Sequence, residues 1–133
     1  MIENKELNKN NFSIIKRMRS FTHASRGLSI FIRSTHNAWI HIAIFVCAII
    51  LSFYFQITQT EWMMLILVGG LVIMAEAFNT AIEIDMDLTS PEQHPYARDT
   101  KDVAAGAVLI SAITSIVVGV LIFGHYIINL SRF

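Results

Sequence analysis

The 133-residue chain is poor in charge and in cysteine, and it has no excess of either sign. Lys and Arg number 10, as do Asp and Glu. A nucleic-acid binder usually shows a strongly basic balance, so that class is disfavoured. Charged residues make up 15% of the chain, against about 25% in an ordinary soluble domain. That shortage argues against a soluble globule and against intrinsic disorder. The single cysteine, Cys47, cannot form an intrachain disulfide. Soluble nucleotide fingerprints are missing too, with neither G-x-x-x-x-G-K-[ST] nor G-x-G-x-x-G present. The five histidines have no recognised metal spacing. What is abundant is apolar: 54% of residues are hydrophobic, and mean hydropathy is +0.55.

The apolar residues are concentrated in three runs. Residues 38–55 and 103–124, 18 and 22 long, qualify directly against the roughly 20 residues needed to cross a bilayer core as helix. A run from Trp62 meets Glu76 and Asn79 and is long enough only if it continues through them. Trp39, Tyr54, Phe55, Trp62 and Tyr126 lie at the ends of the runs, where interfacial aromatic belts form. Seven of the Lys and Arg residues precede residue 38, the 56–61 loop has none, and the 84–102 loop has Arg98 and Lys101. The positive-inside rule then puts the N-terminus and the 84–102 loop in the cytoplasm.

Ahead of the first run, Phe12, Ile15, Met18, Phe21, Ala24, Leu28, Phe31 and Ile32 recur at helical spacing, with basic residues on the other face. This pattern predicts an amphipathic helix lying in the interface. The expected architecture is an all-α integral membrane protein of one domain, 1–133. It comprises a polar tail (1–11), an amphipathic surface helix (12–34) and transmembrane helices at 38–55, 62–83 and 102–125. Ala107, Ser111, Ser115 and Gly119 form a small-residue stripe suited to close helix packing. Gly69-Gly70 reads the same way. His41 reads as an interhelical hydrogen-bonding residue, and His94-Pro95 marks a turn.

The chemistry is concentrated between Glu76 and Asp102. Glu76, Asn79, Glu83 and Asp87 are spaced 3, 4 and 4 apart and form one polar stripe on a helix, with Asp85 pointing the opposite way. At about 1.5 Å per residue from Trp62, Glu76 stands about 21 Å along the helix and Glu83 about 31 Å. The stripe therefore runs from inside the hydrocarbon out to water. An acidic side chain at a bilayer-spanning helix centre costs roughly 2.5–3.5 kcal/mol even on lenient scales, so such a group is usually functional or paired. Stripped of water, a carboxylate is a stronger base, which suits proton removal from a lipid hydroxyl. At the boundary, a carboxylate can reach Mg²⁺, a hard ion that prefers oxygen and often bridges phosphates. Lys101 and Asp102 open the last helix on the same membrane side. Spacing alone is equally compatible with a polar packing stripe in an oligomer.

The blocks Glu76-Ala-Phe-Asn79-Thr-Ala-Ile-Glu83, then Asp87, His94-Pro95 and Lys101-Asp102-Val-Ala-Ala-Gly-Ala-Val-Leu, resemble the prokaryotic diacylglycerol kinase family, which includes undecaprenol kinases. The likeness extends from about Phe12 to Gly124. It implies an ATP- and Mg²⁺-dependent lipid kinase of the bacterial inner membrane, working as a homotrimer with sites shared between subunits. The expected substrate is diacylglycerol, converted to phosphatidic acid, with undecaprenol as the alternative. By the same resemblance Glu76 matches the base and Glu83 a Mg²⁺ ligand. Asn79 and Asp87 match polar residues beside them. Glu92, Gln93, His94, Lys101 and Asp102 match ATP contacts, as do Lys16 and His23 on the surface helix. The family usually carries a second metal-binding glutamate just before the first membrane helix. Here that position is Thr35, a weaker ligand without charge. His36-Asn37-Ala-Trp-Ile-His41 resembles the undecaprenol-kinase branch. Two rival readings remain open on residues alone: a noncatalytic lipid-binding member, which Thr35 supports, and a small channel or transporter subunit, which would explain a buried Glu76.

Overall fold

The computed structural model describes residues 14–92 and 94–130, with side chains from residue 18 onward. The polar tail expected at 1–11 and Gln93 lie outside the described residues. The chain is four helices: α1 (Ile14–Ser34), α2 (His36–Phe55), α3 (Gln59–Thr89) and α4 (Pro95–Leu130). The last three are long and apolar enough to cross a membrane.

Their packing is that of a membrane protein. Large apolar side chains such as Ile44, Ile50, Leu67, Ile110 and Leu121 face outward, where lipid tails are as apolar as they are. Ser52, Glu76, Asn79 and Thr80 are buried instead. Within hydrocarbon a hydroxyl needs a partner. Ser52 donates to the Ala48 carbonyl at 2.8 Å, and Thr80 to that of Glu76 at 2.9 Å.

α1 is amphipathic and mostly exposed, apart from the buried Phe31. Thr35 alone separates it from α2. Its extended backbone (φ −126°, ψ 128°) turns the corner between the helices, and its hydroxyl donates back to the Phe31 carbonyl at 3.4 Å. α2 ends at Gln56, which adopts the left-handed conformation (φ 51°, ψ 50°). The Gln56 N–H bonds the Phe53 carbonyl and the Ile57 N–H that of Ser52, satisfying carbonyls that the helix end leaves open. Ile57 is buried and packs with Leu65 and Ile122 in a small core at this end.

α3 starts three residues before the expected 62. The Thr58 side chain accepts the Glu61 N–H while the Glu61 carboxylate accepts the Thr58 N–H, a reciprocal capping box. α3 also runs past 83 to Thr89. α4 begins at Pro95 rather than 102. Proline is favoured at the first helical position because its missing N–H would be unpaired there anyway. Pro95 is therefore already in the helix rather than in the turn before it. Lys101 and Asp102 do not open α4 but lie nearly two turns inside it. Asp102 pairs with Arg98, one turn earlier, at 3.7 Å.

α3 and α4 form a long antiparallel hairpin fastened near both ends. At one end Tyr126 Oη donates to Glu61 Oε2 at 3.0 Å. At the other, Lys101 Nζ pairs with Asp87 Oδ1. α2 lies antiparallel to α3, with Phe53 edge-on to Trp62 (ring centroids 4.9 Å apart) and Phe45 packed on Gly69. A Cβ on Gly70 would meet nothing, so of the two glycines only Gly69 serves a close approach.

Candidate functional site

The polar stripe of α3 is graded in exposure. Glu76 is 1% exposed and Asn79 6%. Glu83, two turns on from Glu76, is half-buried, and Asp87 is exposed. Helical periodicity puts the four on one side, and the opposite-facing Asp85 is exposed as expected.

Inside the stripe the hydrogen bonding is incomplete. Asn79 Nδ2 donates to Glu83 Oε1 at 3.0 Å. Glu76 Oε1 and Asn79 Oδ1 are buried with no partner. A buried polar atom left unpaired costs about 1–3 kcal/mol, and more when charged. Two such oxygens one turn apart, beside a bonded carboxylate, form a set of buried acceptors. That set attracts a proton donor or a hard cation.

Among the described residues, no three acidic, histidine or cysteine side chains converge as a preformed metal cage. Mg²⁺ does not require one. It is commonly held by one or two carboxylates plus substrate phosphates and water. Glu83 with the Asn79 carbonyl oxygen is a donor set of that kind, so the residues fit the ion. Thr35 contributes no charge, and its hydroxyl already bonds Phe31.

Beyond Glu83 the α3–α4 turn opens a cleft of about 760 Å³. It brings together Asp87, Glu92, His94, Lys101 and Asp102, all named from sequence, and adds Arg98 and Asp99. His94 Nδ1 accepts the Tyr96 N–H at 3.3 Å and its ring stacks on Tyr96. Lys101 is the cation best held here, through Asp87. His23 is exposed on α1 and does not line the cleft. Lys16 lies on α1 ahead of the described side chains.

Arg98 and Asp99 of the cleft escaped the sequence reading of the site. Their place follows from the turn that folds α4 back on α3, which no periodicity in the chain records.

Known proteins resemble the chain over most of its length. The prokaryotic diacylglycerol kinase family profile matches residues 22–123. The chain is 39% identical over 105 residues to an undecaprenol kinase of Bacillus subtilis (strain 168), covering 79% of this chain and 85% of that protein. It is 34% identical over 117 residues to a diacylglycerol kinase of Synechocystis sp., covering 86% and 67%. A diacylglycerol kinase of Helicobacter pylori (strain 26695) is 37% identical over 82 residues, covering 62% and 61%.

Proposed function

The chain belongs to the prokaryotic diacylglycerol kinase family and is a membrane lipid kinase, and on that basis we propose how and where it acts. It transfers the γ-phosphoryl group of ATP to the hydroxyl of a lipid alcohol at the cytoplasmic face of the bacterial inner membrane. The observation that carries the proposal is the unpartnered, buried Glu76 carboxyl oxygen on the stripe that leads out to the Asp87–Lys101 cleft.

Phosphoryl transfer asks the protein for positioning and charge neutralisation more than covalent chemistry. Glu76 removes the proton of the lipid hydroxyl, whose oxygen forms the new bond to phosphorus as ADP leaves. Glu83, with Asn79 beside it, would hold Mg²⁺, which supplies neutralisation of phosphate charge when bound. Lys101 releases Asp87 to meet a phosphate. Glu92, His94 and Asp102, which line the cleft, contact the nucleotide. An interfacial α1 beside the stripe holds the lipid headgroup at the right depth. The concentration of Lys and Arg before residue 38 and in the 84–102 loop supports a cytoplasmic N-terminus. A homotrimer would let a neighbouring subunit bring further groups to the exposed side of the stripe.

Diacylglycerol is the first substrate reading. Undecaprenol is the second, favoured by the higher identity and fuller coverage of the Bacillus subtilis relative. The deciding experiment is transfer from radiolabelled ATP with Mg²⁺ by the purified protein, offering each lipid in parallel beside Glu83→Gln. Labelled product with one lipid, lost in the variant, is the expected result. No product with either lipid from folded protein overturns both substrate readings and leaves a noncatalytic lipid binder.

A further inference from the structure

Mg²⁺ sites are built from one or two carboxylates with substrate phosphates and water. Glu83 is one such carboxylate. A second cannot come from α1 or α2, because neither helix contains an acidic residue. The Thr35 hydroxyl between them is committed to the Phe31 carbonyl. Among the acidic residues that line the cleft, Asp87 alone shares a helix face with Glu83. Glu92 lies past the end of α3, Asp99 and Asp102 are on α4, and Asp102 is engaged by Arg98.

Asp87 follows Glu83 by four residues, and side chains so spaced have Cβ atoms about 5–6 Å apart. Two ligands at that spacing on one helix face are a recurrent way to hold a single ion. On the inner side of Glu83 stands Asn79, which is 6% exposed. Its Nδ2 donates to Glu83 Oε1 at 3.0 Å, and its Oδ1 is buried without a partner. An acceptor beside that carboxylate suits a water on the ion, since Mg²⁺ keeps several.

Asp87 already holds a cation in this structure. The Lys101 ammonium reaches it across the α3–α4 turn, from 14 residues on in the chain, and donates to Oδ1. An ammonium and a divalent ion repel each other and compete for one carboxylate.

We propose that Asp87 is the second metal carboxylate of this chain, in the role that Thr35 cannot fill, and that Lys101 guards it. The ammonium neutralises Asp87 until a nucleotide phosphate draws Lys101 away. Metal and nucleotide then enter together rather than metal first. The proposal rests on the kinase reading in which Glu83 holds Mg²⁺. Its consequence is a pair of affinities that move in opposite directions: Lys101→Met weakens ATP and tightens the metal alone.

The test titrates nucleotide-free protein with Mn²⁺ as the probe and reads the unbound ion by its electron paramagnetic resonance signal. A close opposite charge changes a carboxylate's affinity for a proton by roughly 10–1,000-fold. The Lys101–Asp87 pair is partly exposed, so the low end of that range applies. Lys101→Met should therefore bind Mn²⁺ about tenfold more tightly than wild type. Adding Asp87→Asn should abolish the gain. Arg98→Met removes the same charge from the same cleft but frees Asp102 instead, and should change affinity by less than about twofold. An unchanged affinity in Lys101→Met, a gain that survives Asp87→Asn, or an equal gain in Arg98→Met would overturn the proposal.

Glu83→Gln, placed in the Lys101→Met background, separates this proposal from the reading beneath it. Binding lost with Glu83 but indifferent to Asp87 sinks Asp87 alone and leaves Glu83 as a metal ligand. Binding unaffected by Glu83→Gln overturns the metal site itself. The melting temperature of each variant certifies folding. Should Lys101→Met not fold, Lys101→Gln takes its place with the same expectations.

Discussion

The Phe45 ring of α2 lies directly on the bare backbone of Gly69 in α3, so that a Cβ at Gly69 would overlap the ring. Without a strong hydrophobic force between helices in lipid, close approach of this kind is what packing depends on. It also sets the register that brings α2 alongside the polar stripe.

Gly69→Ala must displace Phe45, and overpacking of this sort costs typically about 1–3 kcal/mol. Gly70→Ala meets open space and gains about 0.5–1 kcal/mol from the better helix former. Thermal denaturation in detergent should therefore move in opposite directions for two neighbouring glycines. Equal shifts would mean that Phe45 moves aside freely.

At the far end of the hairpin, Tyr126→Phe removes the hydrogen bond to Glu61. Loss of the Thr58 cap by Thr58→Ala costs about 1 kcal/mol. Melting temperature should fall in both. Kinase activity at low temperature should not, because Glu61 is 26 residues, or about 39 Å of helix, from Asp87. Activity lost in step with the bond would mean that this end is coupled to catalysis.

The Lys101–Asp87 pair is partly exposed, and exposed pairs contribute only about 0–1 kcal/mol to stability. Its value should appear in nucleotide binding instead. A charged hydrogen bond to phosphate worth about 1.5–3 kcal/mol predicts that Lys101→Met raises KM for ATP by roughly 10–150-fold while leaving the melting temperature nearly unchanged. An unaltered KM would remove Lys101 from the ATP site.

Thr35→Glu adds a carboxylate at the α1–α2 corner. If that corner faces the metal, half-saturation with Mg²⁺ should shift to lower concentration by about tenfold, equivalent to about 1.4 kcal/mol. Chelation followed by Mg²⁺ titration reads this directly. An unchanged titration would mean that other oxygens complete the shell.

The sequence was most informative where a rule is periodic. The stripe from Glu76 to Asp87 follows from 3.6 residues per turn, and its gradient of burial from helical rise alone. Helix ends were less legible, because hydropathy stops where charge begins although the helix does not. Thr58-Gln-Thr-Glu61 and Pro95 carried the local start signals, but the apolar runs outweighed them. Contacts between helices were least legible. Asp87–Lys101, Glu61–Tyr126 and Phe45–Gly69 join residues whose separation in the chain follows no pattern.

The 31 residues of α3 span about 46 Å, well beyond a hydrocarbon core of about 30 Å. One unbroken rod is thus wetted at one extremity and immersed in oil along the rest. A greasy alcohol arriving by lateral diffusion and a polyanion arriving from bulk solution need never share a solvent. Each approaches its own level of the same rod, and only the reacting oxygen and phosphorus must cross the boundary. Bilayer thickness then becomes a reaction variable, because it sets which turn of α3 the boundary cuts.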